Sequence, residues 1–213
     1  MFQPLDADNA DALWLKAAEW FTPGSIAIDQ KSRGGLTAEV LRASLTLRDP
    51  RQRWIASRSP AMNPAFALAE VVWMLCGRND SAFLNYFNPK LSQYAGEDAT
   101  YHAAYGHRLR RHFGLDQLER AYQVLSADSE SRQVALQIWD SASDLPHENG
   151  TPKAKDVPCN IVSLLTVRSG KLGWTQIMRS NDLVLGLPHN IVQFTSLQEI
   201  MAGWLQVEVG EYH

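Results

Sequence analysis

The sequence has little cysteine: Cys76 and Cys159 are the only two among its 213 residues. A secreted domain stapled by disulfides needs a denser set of cysteines and is usually shorter, so this composition argues against that class. The sequence also has no apolar run long enough to cross a membrane, and it does not open with a cationic and then apolar segment. We therefore expect a cytoplasmic protein with free thiols and no membrane partner.

Positive charge is not in excess, because 20 Lys and Arg stand against 23 Asp and Glu, a formal net charge of -3. Proteins that bind polymeric nucleic acid over a broad surface usually carry a strong basic excess, so we expect no such partner. A local arginine pocket for one phosphate stays compatible with this charge. The sequence contains no repeat, and its 45% hydrophobic content is ordinary for a globular chain. We expect residues 1–213 to form one domain.

Hydrophobic periodicity predicts an α+β fold. The patterns predict helices at about 8–21, 64–76, 81–87, 115–127 and 188–205, and strands at about 41–48, 134–138, 159–167 and 172–178. The last two strands flank Arg168-Ser169-Gly170-Lys171, which is typical of a hairpin turn. We predict loops at 31–35 and 144–155. Helices interleaved with such strands indicate a mixed or antiparallel sheet packed with helices.

The second predicted helix begins at Asn63-Pro64, ends at Gly77, and is apolar on nearly all sides. A helix of this kind should be buried, which would place Cys76 in the core. Glu70 is a carboxylate within that apolar helix, and such a group is costly to bury unless it is paired or functional. Burial favours the protonated carboxyl and would suit Glu70 to proton transfer. A buried ion pair with an arginine is the alternative.

Cys159 lies between Pro158 and Asn160, at the start of a predicted strand and after a loop. A cysteine at such an edge can reach a cleft as a nucleophile, although most lone cysteines are small buried hydrophobes. Arg179 and Ser180 follow the next strand, and a guanidinium fork with a hydroxyl suits a phosphate. A guanidinium near Cys159 would also favour the reactive thiolate. The alternative for Arg179-Ser180 is a solvated surface pair.

The segment Gly186-Leu187-Pro188-His189-Asn190 forms a turn into the last predicted helix. The carboxamide of Asn190 offers a donor and an acceptor, which match the C4=O and the N3–H of uracil. Capping of the helix is the alternative role for Asn190. We expect His189 at the surface.

Together, these motifs resemble the thymidylate synthase family. The stretch from Met178-Arg179-Ser180-Asn181-Asp182 to Gly186-Leu187-Pro188-His189-Asn190 resembles the Arg-Ser-x-Asp and Gly-x-Pro-x-Asn motifs of that family, and Pro158-Cys159 resembles its nucleophile motif. The remaining similarities are Ser131-Arg132 with the strand to Trp139-Asp140, Tyr105-Gly106, Glu70 before Gly77, and Arg33 before Gly34-Gly35.

The resemblance implies a thymidylate synthase-like fold and one-carbon transfer from 5,10-methylenetetrahydrofolate to C5 of a pyrimidine nucleoside monophosphate, without a metal. Cys159 would add to C6 of the base, and Glu70 would handle protons at the base carbonyl through water. The implied nucleotide-binding residues are Arg33, Arg132, Arg179, Ser180 and Asn190, with Tyr105 beside the active site and Asp182 and Tyr94 at the folate pocket. In the family the arginine matching Arg132 reaches the phosphate of the partner subunit, so the resemblance also implies a homodimer.

Several positions depart from the family pattern. Gln133, Asn160 and Met178 stand where a second arginine, a histidine and a glutamine are usual, and Leu91 and Tyr94 stand where two tryptophans line the folate pocket. The resemblance implies methylation of dUMP to dTMP as the leading reaction. Loss of the indole makes a 5-hydroxymethylase, which adds water instead of hydride, the alternative.

The sequence stops at Glu211-Tyr212-His213, before the family's sugar-binding His and Tyr and its closing C-terminal segment. We therefore expect that a C-terminal part of the catalytic domain is missing. A nucleotide-binding pseudoenzyme is the third interpretation.

Overall fold

The computed structural model describes residues 2–32 and 35–213. The described strands are β1 (Gln3–Ala7), β2 (Ile28–Ser32), β3 (Gly35–Glu39), β4 (Ala43–Leu47), β5 (Ala135–Gln137), β6 (Asn160–Arg168), β7 (Lys171–Met178) and β8 (Glu208–Tyr212). The described helices are α1 (Ala10–Glu19), α2 (Pro64–Leu75), α3 (Ser81–Phe87), α4 (Leu91–Ala95), α5 (Tyr105–His107), α6 (Gln117–Ala127), α7 (Ser141–Asp144) and α8 (Gly186–Leu205), with a π-helical turn at Arg108–His112.

The main sheet has six strands in the order β1-β4-β8-β7-β6-β5. The pairs β1–β4 and β7–β8 are parallel, and the pairs β4–β8, β6–β7 and β5–β6 are antiparallel. The predicted α+β fold with a mixed sheet is therefore confirmed. β2 and β3 form a separate antiparallel pair.

The predicted hairpin between β6 and β7 is confirmed. Arg168 pairs with Lys171, and Ser169 and Gly170 between them have φ of 50° and 72°. Two residues of positive φ give the turn a twist that matches the right-handed twist of the strands. This hairpin brings the residue before β6 next to the residues after β7, which positions the candidate site.

α8 lies against one face of the sheet and forms the centre of the core. Trp174 of β7 is fully buried, and its ring centre lies 6.4 Å from that of Phe194 on α8. On the other side of α8, Val192 packs with Ala67 and Val71 of α2. The opposite face of the sheet is more open, since Leu164 and Ile177 are 37% and 42% exposed.

The prediction that α2 is buried on all sides was wrong. Leu68 and Val72 are 53% and 50% exposed, and Cys76, which was predicted in the core, is exposed at the C-cap. These residues follow each other at intervals of four, so they share one stripe of the helix. α2 turns another face toward α8, which leaves this stripe outside the core.

Other local expectations also needed correction. The segment 31–35 was predicted as a loop, whereas Ser32 and Gly35 pair at the ends of β2 and β3; Arg33 and Gly34 lie outside the described residues. β4 begins at Ala43, because Arg42 has a φ of 59° and cannot continue an extended strand. Asp144, predicted in a loop, ends α7 and is buried.

Along residues 2–32 and 35–213, no helix is both long and apolar enough to span a membrane.

Candidate active site

Cys159 lies at the point where the chain enters β6, and Ser180 lies just beyond β7. The backbone N–H of Arg179 donates to the carbonyl oxygen of Cys159 at 2.9 Å, which holds the two segments together. The Ser180 hydroxyl donates to the Cys159 sulfur at 3.6 Å. Cys159 is partly exposed, in contrast to a core cysteine. The structure thus brings together the two residues that the sequence predicted at one site.

Arg179 forms hydrogen bonds with the backbone that precedes Cys159. Its Nε donates to the Pro158 carbonyl at 2.8 Å, and its Nη2 donates to the Val157 carbonyl at 3.2 Å. Its guanidinium carbon also lies 5.7 Å from the ring centre of Trp139. Arg179 is nevertheless an exposed residue.

Tyr105 lies on the inner side of the cysteine. Burial raises the pKa of its hydroxyl, and the nearby Cys159 raises it further, so Tyr105 stays neutral and able to donate a hydrogen bond. Its ring centre lies 6.0 Å from that of Phe194, which fixes it against α8. The next residue, Gly106, lets α5 approach the backbone of α2 closely. A Cβ at this position would lie 2.3 Å from Cα and O of Met74.

Glu70 and His189 form a largely buried pair between α2 and α8. The Oε2 of Glu70 lies 2.7 Å from Nδ1 of His189, and their side chains are 14% and 15% exposed. The ring of Phe66 packs against the imidazole at 5.1 Å. The partner of Glu70 is therefore a histidine, not the arginine considered from the sequence. The expectation of a surface position for His189 was wrong, because the first turns of α8 pack against α2.

Asn190 is buried beside this pair, and its Nδ2 donates to Oδ1 of Asn181 at 3.0 Å. The alternative role as a helix cap is excluded, since α8 begins at Gly186 with Leu185 at its N-cap position. Asn181 directly follows Ser180, and Asn190 directly follows His189. Three hydrogen bonds, joined by the adjacent pairs Ser180–Asn181 and His189–Asn190, therefore link the segment at Cys159 to Glu70.

Asp182 shapes the turn into α8. Its Oδ1 accepts the backbone N–H groups of Val184 and Leu185 at 2.9 and 2.5 Å. Two side chains from distant parts of the chain also hold this turn. The Trp14 indole donates to the Leu183 carbonyl at 2.8 Å, and Arg58 donates to the Val184 carbonyl at 2.6 Å. This gives Asp182 a structural role, and its role at a folate pocket stays a prediction.

Two of the predicted site residues, Tyr94 and Arg132, make no described contact with Cys159, and for Arg132 the prediction was an exposed position toward a partner subunit. Tyr94 lies on α4 and is 63% exposed, and Arg132 is exposed just before β5. Among the described residues, neither shares a hydrogen bond, ion pair or ring contact with Cys159 or Ser180. Arg33, which was also predicted at the site, lies outside the described residues.

A cavity of ≈ 660 Å³ lies behind the segment that leads to Cys159, and the cysteine itself is not part of its lining. Asp156 lines it, and burial raises the pKa of this carboxyl, which accepts the N–H of Ala103 at 2.9 Å. Below it, Arg108 donates to both oxygens of Asp144 at 2.9 Å, and His102 Nε2 lies 2.7 Å from Asp144. The sequence does not predict this network, since nothing in the spacing of the three residues indicates that they meet.

The described residues contain no group of three or more His, Cys, Asp or Glu side chains arranged to hold a metal ion.

Comparison with known proteins gives the family. Residues 42–213 match the family described as Thymidylate synthase. The chain is 34% identical over 192 residues to "Deoxyuridylate hydroxymethyltransferase" of Bacillus phage SP01, which covers 85% of this chain and 49% of that protein. It is 36% identical over 165 residues to the protein of the same name from Pseudomonas phage M6, which covers 76% and 46%. The chain thus spans about half the length of these phage relatives.

A third relative is covered over most of its own length. The chain is 33% identical over 189 residues to "Putative thymidylate synthase" of Methanothermobacter thermautotrophicus, which covers 84% of this chain and 75% of that protein. The matched region includes every site residue from Glu70 to Asn190. The chain belongs to the thymidylate synthase family.

Proposed function

We propose that the protein is a cytoplasmic, homodimeric enzyme that transfers one carbon from 5,10-methylenetetrahydrofolate to C5 of dUMP and releases a 5-hydroxymethyl product. Residues 1–213 act as one domain in this proposal, without a metal. The observation that carries it is the partly exposed sulfur of Cys159, 3.6 Å from the Ser180 hydroxyl and next to the Arg179 segment.

Cys159 forms the covalent bond to the nucleotide. Its thiolate attacks C6 of the pyrimidine, which makes C5 a carbon nucleophile able to take up the one-carbon unit. The Ser180 hydroxyl, which donates to this sulfur, orients it at the mouth of the site before the nucleotide binds. The neutral Tyr105 stands on the other side, where a donor can hydrogen-bond without adding charge.

The nucleotide is held by its phosphate and its base edge. Arg179 and Ser180 contact the 5'-phosphate, because both are exposed at the mouth of the site. Arg33 and the partner subunit contribute further cations. At the other end, Asn190 reads uracil: Oδ1 accepts N3–H, while Nδ2, which already donates one hydrogen to Asn181, donates its second to O4.

Glu70 serves the protons at the base carbonyl through a water molecule. Its carboxyl group is 14% exposed and lies one hydrogen bond from His189, the residue before Asn190. A group at this place can exchange protons with O4 while Asn190 holds the same edge of the base.

Release as a hydroxymethyl group is supported by two observations. Two relatives are named deoxyuridylate hydroxymethyltransferase, and Leu91 and Tyr94 stand in place of the family's tryptophans. Methylation, giving dTMP, is the second candidate, because a relative covered over 75% of its length is named a putative thymidylate synthase. Asp182 and Tyr94 would belong to the folate pocket in either case.

A second copy of the chain would cover the open face of the sheet. Val162 faces Ile177 and Leu164 faces Thr175 across β6 and β7, so this face is uncharged at these two pairs, and Arg168 and Lys171 bring charge to it only at the turn. Arg132, which is exposed just before β5, lies at the edge of the same sheet. If two such faces paired, apolar side chains would be buried between them, and Arg132 would lie close to the nucleotide bound by the partner subunit.

The test is mass spectrometry of dUMP incubated with the intact protein and methylenetetrahydrofolate, with dCMP, UMP and CMP in parallel. Hydroxymethylation adds CH2O to the nucleotide, and methylation adds CH2. We expect the CH2O product from dUMP. No product from any of the four nucleotides would contradict the proposal and support a pseudoenzyme.

A further inference from the structure

We infer that His189 is the catalytic base that activates the water molecule in the hydroxymethylation step. This inference rests on the proposed function and assigns a role to a residue that the sequence analysis placed at the surface. Its basis is the carboxylate–imidazole pair that Glu70 and His189 form between α2 and α8.

The pair fixes which nitrogen of the imidazole is available. Nδ1 lies 2.7 Å from the Glu70 carboxylate, so it carries the hydrogen and donates. In the neutral ring Nε2 then keeps its lone pair and acts as the base. Nε2 has no hydrogen-bond partner among residues 2–32 and 35–213. A carboxylate behind Nδ1 also stabilises the imidazolium that forms when Nε2 takes a proton.

The surroundings support a chemical role over a packing role. The imidazole is 15% exposed and packs on Phe66, a setting in which an aromatic hydrocarbon ring would serve packing better. Desolvating a carboxylate and an imidazole costs free energy that an apolar residue at position 189 would avoid. The Phe66 contact also fixes the orientation of the ring, as a positioned base requires.

The location matches the reacting carbon. In the proposed function Asn190 reads N3–H and O4 of uracil, and Glu70 handles protons at O4. C5 is bonded to C4, so a carbon attached to C5 projects beside O4. His189 is hydrogen-bonded to Glu70, so its imidazole lies one hydrogen bond from the carboxyl group that serves this edge of the base in the proposed function.

The step balances without an added reductant. After the folate amine leaves, the pyrimidine has a C5=CH2 double bond and a C6–S bond to Cys159. The oxygen of water bonds to the methylene carbon, Nε2 of His189 takes the water proton, and the electron pair moves to O4 as an enolate. The enolate then re-forms C4=O and C5=C6, and the C6–S bond breaks to return the thiolate. The imidazolium finally loses its proton to solvent.

The experiment compares His189→Phe, which keeps a ring against Phe66, with His189→Gln, which keeps a hydrogen bond to Glu70. His147→Gln, in an exposed loop, is the control. Each intact variant is mixed with methylenetetrahydrofolate and dUMP tritiated at C5, with and without a small thiol. Tritium release reports the steps up to carbon transfer, and mass spectrometry reports the product. Calorimetric dUMP binding checks folding.

We expect His189→Gln, which keeps a hydrogen bond to Glu70, to retain tritium release while its hydroxymethyl product falls by about 100-fold or more, the loss typical of a missing general base. His189→Phe should lose the hydroxymethyl product to the same extent. The thiol should trap the methylene as a 5-thioether, because a thiolate needs no base. Unchanged hydroxymethylation, or loss of tritium release by His189→Gln as well, would overturn the role of His189. If the unmodified protein releases no tritium or forms only methyl product, the proposed function fails first, and the inference with it.

Discussion

The hydroxyl of Ser180 donates a hydrogen bond to the sulfur of Cys159 at 3.6 Å, across the open end of the β6–β7 hairpin. In the proposed complex the same hydroxyl turns to the phosphate of the nucleotide. Hydrogen bonds to charged groups contribute about 1.5–3 kcal/mol, so Ser180→Ala should weaken dUMP binding by roughly tenfold or more. Calorimetric titration measures this, with Ser126→Ala on the exposed side of α6 as the control. Equal affinity in the two variants would remove Ser180 from the phosphate site.

In the proposed complex, base selection depends on the Asn190 carboxamide. Asn190→Asp replaces the donor to O4 with a carboxylate oxygen, which suits the amino group of cytosine instead. An unpaired buried polar group costs about 1–3 kcal/mol, so the ratio of dUMP to dCMP affinity should fall by about tenfold or more. Titration of both nucleotides against both proteins gives the ratio. A ratio that does not move would mean that Asn190 does not read the base.

Two glycines provide a matched test of packing. A Cβ at Gly106 would lie 2.3 Å from backbone atoms of Met74, whereas a Cβ at Gly203 would meet nothing within 4 Å. Gly106→Ala should therefore destabilise the fold by roughly 3 kcal/mol or more, since the backbone of α2 must move. Gly203→Ala, in α8, should stabilise it by about 0.5–1 kcal/mol through helix propensity.

Urea unfolding of both variants measures the two changes in the free energy of unfolding. If Gly106→Ala were as stable as the unmodified protein, the close approach of α5 to α2 would be wrong.

The local sequence patterns predicted the elements that surround the site. Asn63 caps α2 as predicted, with Oδ1 accepting the Phe66 N–H at 3.2 Å, and the β6–β7 hairpin followed from its turn residues. The family resemblance read from Pro158-Cys159 and the Arg179–Asn190 stretch is confirmed by the match over 42–213. These features depend on residues near each other in sequence.

The contacts between distant segments could not be predicted in the same way. The Glu70–His189 pair joins residues 119 positions apart, and the Arg108–Asp144 pair joins residues 36 apart. Neither partner carries a local signal for the other, because the pairing depends on how helices and loops pack. The exposure of Cys76 has the same origin, since it depends on which face of α2 meets α8.

Acid stability should depend on Asp140. The hydrogen bond from His112 lowers the pKa of this carboxyl from 3.8 to about 2. A carboxyl group whose pKa is lower in the folded than in the unfolded protein contributes its full stabilisation when the pH is above its pKa in the unfolded protein. This contribution is lost as the pH falls from about 4 to about 2. Asp140→Asn should make the free energy of unfolding less dependent on pH in that window.

Urea unfolding across that window measures the slope, with Glu130→Gln at an exposed site as the control. An Asp140→Asn protein with the unmodified slope would exclude Asp140 as a source of acid sensitivity.

The most direct measurement of the central claim is release of tritium from C5 of dUMP in the presence of methylenetetrahydrofolate. Cys159 is partly exposed beside Ser180, and Cys76 is exposed at the end of α2, so the two thiols form a matched pair. Addition to C6 needs the Cys159 thiolate, so Cys159→Ala should release no tritium above background while Cys76→Ala releases it at the unmodified rate. Normal release by the Cys159→Ala protein would contradict the account.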